Sequence, residues 1–149
     1  MRNKKVVIVI AVLVIAIICG VAIRFGIQKM QKSKYTKADE YEVGGIEFPS
    51  IKKIVGEKEV IKYSHEKSNV EKLELTFKDP DKEITVDKYI ETIKDGGNYI
   101  DMRTNNENKK QIASTTDTGL ITVQTETTSD GFILTIEVGE GSIKIDAIE

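Results

Sequence analysis

The chain of 149 residues is 40 % hydrophobic and 31 % charged, and its formal net charge is −2. That small total hides a division, because residues 1–34 carry seven basic and no acidic side chains, whereas residues 35–149 carry fifteen basic and twenty-four acidic ones. The second part therefore has a charge of −9, which argues against a nucleic-acid partner, since nucleic acids require basic patches. The single cysteine, Cys19, excludes an intrachain disulfide and a cysteine-based zinc site.

An uninterrupted apolar segment occupies residues 6–23, directly after Arg2, Lys4 and Lys5. At about 1.5 Å per residue it would span roughly 27 Å as a helix, close to the ~30 Å hydrocarbon core of a bilayer. Val, Ile and Leu dominate the segment, which favours insertion. We predict one transmembrane helix whose lipid-contacting anchor residues are Val6, Val7, Ile8, Val9, Ile10, Ala11, Val12, Leu13, Val14, Ile15, Ala16, Ile17, Ile18, Cys19, Gly20, Val21, Ala22 and Ile23.

Three fates of this segment are compatible with its sequence: an uncleaved signal-anchor, a cleaved signal peptide and a lipoprotein signal. The small residues of Gly20-Val21-Ala22 suit cleavage after Ala22, but no polar stretch precedes that site. A lipoprotein signal needs a small residue before Cys19, where Ile18 stands. The sequence favours the uncleaved anchor in the cell membrane, with a secreted protein as the alternative if the signal is cleaved.

The orientation of the anchor follows less directly, because Arg24, Lys29, Lys32 and Lys34 place basic residues on its second side as well. A short basic N-terminus, one apolar run and a long folded domain together favour an N-terminus that stays inside. We therefore expect the folded domain to be extracytoplasmic.

Beyond the apolar segment, residues 24–45 are polar and predict a helical continuation that fades into a juxtamembrane linker ending at Gly44 and Gly45. Residues 46–149 form the predicted extracytoplasmic domain. Apolar and β-branched runs, several of them alternating with polar residues, predict strands over residues 51–55, 59–64, 70–77, 99–103, 111–115, 120–127, 132–138 and 143–148.

One short helix is predicted between these strands, with Thr85 as its N-cap. The apolar residues with the helical i, i+3, i+4, i+7 spacing are Val86, Tyr89, Ile90 and Ile93. Turns such as Asp130-Gly131 join the later strands into a meander. The predicted fold class is therefore α+β: an N-terminal transmembrane helix followed by a two-layer domain in which an antiparallel β-meander packs on one short helix.

His65 is the single histidine of the chain. Its neighbours Ser64 and Glu66 would point to the opposite face of a strand, so the three residues do not form a catalytic triad. We interpret His65 as a surface or loop-edge histidine. With no other candidate for a nucleophile or a base, we expect no catalytic residue and no enzymatic activity.

The acidic group Asp79, Asp81 and Glu83 lacks the glycine and the distal glutamate of a calcium loop, and we interpret it as a solvated turn. The glycine pairs of the chain lack the flanking residues of a phosphate loop. We therefore expect no metal and no cofactor.

The threonines of residues 122–128 are interpreted as an exposed strand face.

The chain has a basic N-terminus, then an apolar helix, a polar linker and a β-rich domain. Within the domain, two stretches are characteristic: residues 48–56, which begin Phe48-Pro49-Ser50, and the helix over residues 89–97. In this order and in its Lys-, Ile-, Glu- and Asn-rich composition, the chain resembles small uncharacterised membrane-anchored or exported proteins of low-GC Gram-positive bacteria. The resemblance is architectural and implies an exported domain. It carries no functional residue onto this chain.

Two functions are compatible with these observations. The favoured one is a non-enzymatic binding or interaction module, held to the lipid bilayer by its helix and meeting a protein or another envelope component there. The alternative is a cell-envelope hydrolase or accessory domain that uses two carboxylates, which would have to face each other about 5 to 10 Å apart in a cleft.

Overall fold

The computed structural model describes residues 2–117 and 119–139, with side chains from residue 8 onward. Within these residues the chain forms three helices and eight strands in an α+β arrangement. In chain order they are α1 (Arg2–Lys37), β1 (Glu40–Val43), β2 (Ile46–Pro49), α2 (Ile51–Val55), β3 (Glu59–Glu66), β4 (Val70–Lys78), α3 (Lys82–Asp95), β5 (Ile100–Met102), β6 (Lys109–Thr115), β7 (Leu120–Thr127) and β8 (Gly131–Gly139). The chain divides into two compact units, residues 1–31 and residues 32–149.

The first unit is the greater part of α1, a helix of 36 residues. From Ile8 to Ile23 its large apolar side chains are between 48 % and 66 % exposed. Soluble proteins rarely expose so much contiguous apolar surface. Among the described residues α1 is the one helix long and apolar enough to cross a membrane, which is what the apolar segment predicts.

The helical continuation predicted after residue 23 is observed, but the linker predicted between it and residue 46 is not. Helix α1 continues to Lys37, and β1 follows it almost at once. Tyr41 and Val43 of β1 are buried in the core, so the domain begins before the predicted residue 46. Gly44 and Gly45, with φ of 59° and 75°, form the tight turn between β1 and β2 instead of ending regular structure.

The described residues of the second unit form one six-stranded antiparallel sheet in the order β3-β4-β8-β7-β6-β5, together with the small β1–β2 hairpin. Strands β5 to β8 follow one another as the predicted meander. The β3–β4 hairpin joins the opposite side of the meander, where β4 pairs with β8 in a register that places Leu75 opposite Leu134.

One face of this sheet carries the core. Leu73, Leu75 and Phe77 of β4 alternate with half-exposed polar residues, and the ring of Phe77 stacks on that of Phe132 with 4.8 Å between centroids. Helix α3 contacts β6, β7 and β8. Its buried apolar residues are the four that the sequence predicted, Val86, Tyr89, Ile90 and Ile93. Burying each such side chain contributes about 1.5–3 kcal/mol.

Two local predictions were wrong. Residues 51–55, predicted as a strand from their β-branched side chains, form the short helix α2, because the Ser50 hydroxyl accepts a hydrogen bond from the Lys53 amide and caps the first turn. Helix α3 begins at Lys82 with Asp81 at the N-cap position, so Thr85 lies inside the helix instead of capping it.

The other strand predictions overlap observed strands. Residues 59–64, 70–77, 99–103, 111–115, 120–127 and 132–138 correspond to β3 through β8, with boundaries that differ by at most two residues. The strand predicted over residues 143–148 lies outside the described residues.

We expect Gly131→Ala to destabilise the domain strongly. A Cβ atom at this position would stand 1.8 Å from the carbonyl oxygen of Phe77, a backbone atom of the paired strand, so the β4–β8 ladder would have to shift. The expected loss is at least about 2 kcal/mol of unfolding free energy, measured by urea denaturation of the detergent-solubilised chain followed by circular dichroism.

The matched control is Gly96→Ala. Gly96 has φ of −82°, and an added Cβ would make only ordinary contacts, the nearest at 3.4 Å. This variant should retain the stability of the parent within about 0.5 kcal/mol. Equal stability of the two variants would contradict the close approach at Gly131.

Candidate functional site

A group of hydrogen-bonded residues lies where the end of α1 meets the β3–β4 hairpin. We call Tyr35, His65, Glu71 and the backbone amide of Gly44 the junction cluster. Tyr35 lies in the last turns of α1, His65 on β3, Glu71 on β4 and Gly44 in the β1–β2 turn. The cluster therefore connects four segments of the second unit.

His65 is the centre of the junction cluster. Its Nε2 lies 2.8 Å from Glu71 Oε1 and its Nδ1 lies 3.3 Å from the Tyr35 hydroxyl. The other oxygen of Glu71 accepts a hydrogen bond from the Gly44 amide. A neutral His65 that carries its proton on Nε2 satisfies all of these contacts: it donates to Glu71 and accepts from Tyr35.

The environment shifts two pKa values in the junction cluster. Partial burial by itself would raise the pKa of Glu71, but the hydrogen bonds from Gly44 and His65 and the nearby Lys67 outweigh it and hold that pKa below its ordinary value. Burial, followed by the neighbouring Tyr63 and Glu71, raises the pKa of Tyr35. Glu71 is therefore a charged acceptor and Tyr35 a neutral donor at pH 7.

This geometry favours a structural role over a catalytic one. Both ring nitrogens of His65 and both oxygens of Glu71 have partners within the chain, and these contacts hold α1, the β1–β2 turn and the β3–β4 hairpin together. The prediction of a surface or loop-edge histidine did not include the hydrogen bonds of His65 to Tyr35 and Glu71. His65 pairs with Leu73 across the hairpin, which makes Glu71 its diagonal neighbour. Locating the hairpin turn near Asn69 would have revealed this pair.

Helix α1 is also joined to β3 by Thr36. The Thr36 hydroxyl donates to the carbonyl oxygen of Lys32 at 2.8 Å and accepts from the amide of Val60 at 3.0 Å. The rings of Tyr35 and Tyr63 lie beside each other, with centroids 5.6 Å apart. The last turns of α1 are therefore part of the folded domain.

Asp79 differs most from its prediction, because its side chain is fully buried instead of lying in a solvated turn. Its carboxylate accepts from the Thr85 hydroxyl at 2.5 Å and from the Asp81 amide at 2.9 Å, and it lies 3.3 Å from Lys58 Nζ. Burial would raise the pKa of Asp79, but these partners outweigh it and hold the pKa below its ordinary value. Asp79 organises the turn into α3, whereas Asp81 and Glu83 are exposed as predicted.

A groove of about 330 Å³ lies between α3 and strands β5 and β6. Three carboxylates line it, those of Asp87, Glu91 and Asp101. Asp87 forms an ion pair with Lys110, and Asp101 forms one with Lys94. Within the described part of the chain no group of three or more His, Cys, Asp or Glu side chains is arranged to hold a metal ion.

The face of the sheet opposite α3 carries charged side chains on β4 and β8, whereas Thr122 and Thr135 on the same face are buried. Lys72 Nζ lies 3.8 Å from Glu74 and 3.9 Å from Glu137, and each of these side chains is about one-third or more exposed. We call this the uncovered face. The prediction of an exposed threonine face was wrong in part, because Thr122 is 4 % exposed and Thr125 points into the core with no exposure.

The predicted anchor residues all lie on α1. Those from Ile8 to Ile23 have exposed side chains, whereas Val6 and Val7 are described by their backbone alone. The predicted anchor residues thus lie on one continuous helix.

Comparisons of the chain with protein-family models, with curated proteins and with solved structures find no match. Function therefore has to be inferred from the chain's own residues.

We expect Glu71→Gln to lower the unfolding free energy by about 1 kcal/mol at pH 7, because the charged acceptor of the Gly44 and His65 hydrogen bonds is lost. The pKa of Glu71 is lowered in the folded state, so its contribution is complete above the ordinary value of 4.5 and disappears as the pH falls through the lowered value. Urea denaturation from pH 7 to pH 3 should show the parent and the variant converging at low pH.

Glu74→Gln is the matched control, since Glu74 lies on the same strand, faces the other side and forms an exposed pair with Lys72. Its expected effect at pH 7 is below about 0.5 kcal/mol. A Glu71→Gln effect that is no larger, or that grows toward acidic pH, would contradict the junction cluster.

Proposed function

We propose that this chain is a single-pass membrane protein that presents its α+β domain outside the cytoplasm as a non-enzymatic binding module. The observation that carries the proposal is α1, whose apolar side chains are about half or more exposed from Ile8 to Ile23. In water this surface would be costly, at about 25 cal/mol for each square ångström exposed. In a bilayer such a surface contacts hydrocarbon, and the helix satisfies its backbone polar groups within itself.

The proposal retains α1 as an uncleaved signal-anchor. Cleavage after Ala22 would remove the apolar run, but the helix continues without a break past that position to Lys37. Basic residues flank the apolar run on both sides, and the proposed cytoplasmic N-terminus is supported by the short basic segment before a single apolar run and a long folded domain after it.

The uncovered face is the proposed contact surface for a protein or envelope partner. Its strands are fixed in register by a continuous ladder from β4 through β8 and β7 to β6, so its side chains are held in rows. Charges of both signs alternate along it, as in the Lys72, Glu74 and Glu137 group. Such rows favour recognition by complementary charge. The architectural resemblance to exported proteins of low-GC Gram-positive bacteria is consistent with an envelope partner.

The groove beside α3 is where the alternative, a carboxylate-dependent envelope hydrolase, would have its site. Such an enzyme needs one carboxyl group free to donate a proton and another free to act as a base or nucleophile. In the groove Asp87 is paired with Lys110 and Asp101 with Lys94, so that of its three carboxylates only Glu91 is outside these ion pairs, whereas the enzyme needs two free ones. The contacts therefore favour the binding module over the hydrolase.

The proposed topology predicts which side of the membrane the domain occupies. In a Cys19→Ala background, a cysteine introduced by Asn105→Cys on an exposed bend should react with a membrane-impermeant maleimide on intact cells. The same chain should resist extraction by alkaline carbonate. Labelling that occurs only after lysis would reverse the orientation, and extraction by carbonate would reject the anchor.

The uncovered face predicts a position-specific contact. A photoreactive amino acid replacing Glu74 in the full-length, membrane-bound chain should give one discrete cross-linked product. The same group replacing Lys88, an exposed residue of α3, is the matched control and should give none. Identical products from both positions, or no product from Glu74, would count against the uncovered face as the binding surface.

A further inference from the structure

Five basic side chains follow the apolar run on α1, and the last of them, Lys37, ends the helix. The other four are Arg24, Lys29, Lys32 and Lys34, and we call them the basic collar. Arg24, Lys29 and Lys34 are exposed, and Lys32 is half-buried. No acidic residue occurs in the sequence before Asp39, so no acidic side chain of this segment offsets its positive charge.

The basic collar surrounds the helix instead of forming a stripe. At about 100° per residue, Arg24, Lys32, Lys29 and Lys34 fall at roughly 0°, 80°, 140° and 280° around the axis. A helix that lies flat on a membrane has its basic residues on one side and its apolar residues on the other. Charges on all sides instead suit a helix that passes upright through a layer of negative charge.

Apolar side chains are interleaved with the basic ones. Phe25 is 69 % exposed, Ile27 is 52 % exposed and Met30 is 74 % exposed. Lysine and arginine can direct their apolar stems toward lipid while their charged ends reach the headgroups. From Arg24 to Met30 this mixture covers about 9 Å of helix, comparable with the headgroup layer, which extends about 5–8 Å beyond the core on each side. Lys32 and Lys34 lie about 12 and 15 Å from Arg24 along the axis and act on that layer through its electrostatic attraction.

Other roles for these charges account for only part of the basic collar. A basic residue in the last turn of a helix complements the helix dipole, but of the four only Lys34 lies in that turn of α1. Among the ion pairs of the described residues, none includes a member of the basic collar. Within the described fold, neither an ion pair nor the helix dipole thus accounts for the charges of Arg24, Lys29 and Lys32.

We infer that the basic collar binds the headgroups of anionic phospholipids in the leaflet through which α1 leaves the bilayer. This inference rests on the proposed membrane anchor. Charge complementarity and direct continuity with the apolar run identify the partner, because the first basic residue follows the last residue of that run. Each basic group near an anionic surface adds attraction that decays within a Debye length of about 8–10 Å. The collar concentrates anionic lipid around the anchor.

The absence of tryptophan from the sequence allows a direct test. In a Phe25→Trp chain reconstituted into phosphatidylcholine vesicles with a minor fraction of phosphatidylglycerol, the single tryptophan reports the lipids beside the collar. Quenching by brominated phosphatidylglycerol should show a local fraction at least about twofold above the bulk composition. Raising sodium chloride should reduce the enrichment, and inorganic phosphate at equal ionic strength should reduce it no further.

The decisive variant changes Arg24, Lys29, Lys32 and Lys34 to Gln and should return the local fraction to the bulk value. The matched control removes one arginine and three lysines from exposed positions of the domain, through Lys62→Gln, Lys78→Gln, Lys88→Gln and Arg103→Gln, and should keep the enrichment. Enrichment equal in both variants, or absent from a carbonate-resistant parent chain, would overturn the inference. A parent chain extracted by carbonate would instead overturn the proposed anchor, and the inference with it.

Discussion

The burial of one face of the sheet is the interaction on which the rest of the folded domain depends. Helix α3 has 14 residues, a length at which an isolated helix is only marginally stable. The β1–β2 hairpin, with four residues in each strand, is equally unable to stand alone. Both become stable by covering the apolar side chains of β4, β8 and β7. At about 1.5–3 kcal/mol for each buried side chain, this packing outweighs any single polar contact in the domain.

Polar contacts then fix how the covering elements are attached. Asp79 links the end of β4 to the first turn of α3 through Thr85 and the Asp81 amide, while its own amide donates to the carbonyl oxygen of Asp130. Gly131, the next residue, lets β8 pass close to Phe77. A buried carboxylate is costly unless it is bonded, and this one is bonded on both oxygens. The crossover from β4 to α3 is thus fixed by a small number of directional bonds.

The sequence was sufficient for features that depend on periodicity. The alternation in β4 and β8 and the helical spacing of Val86, Tyr89, Ile90 and Ile93 predicted the sheet, the helix and the face by which they meet. It failed where one side chain bonded to a backbone group decides the local structure. The Ser50 cap turns a β-branched run into α2, and the turn at Gly44 and Gly45 makes a hairpin where a break was expected.

The junction cluster could not be predicted for a related reason. His65 and Glu71 are six residues apart, and they meet only because the β3–β4 hairpin turns between them in one particular register. A shift of one residue would place Glu71 on the opposite face. Tyr35 is thirty residues from His65, and no local pattern connects them. Contacts of this kind depend on tertiary structure, and the residues involved look unremarkable in the sequence.

The same contacts change where the domain must be considered to begin. A boundary at residue 46, as the sequence suggests, would separate the domain from Tyr35 and Thr36, which bond to β3, and from Tyr41 and Val43, which are buried in its core. The Tyr41 hydroxyl also accepts a hydrogen bond from the Ile51 amide inside the protein. The helix that is apolar along residues 6–23 therefore contributes its last turns to the fold of the domain. Residues 32–43 of the predicted linker therefore belong to the folded domain.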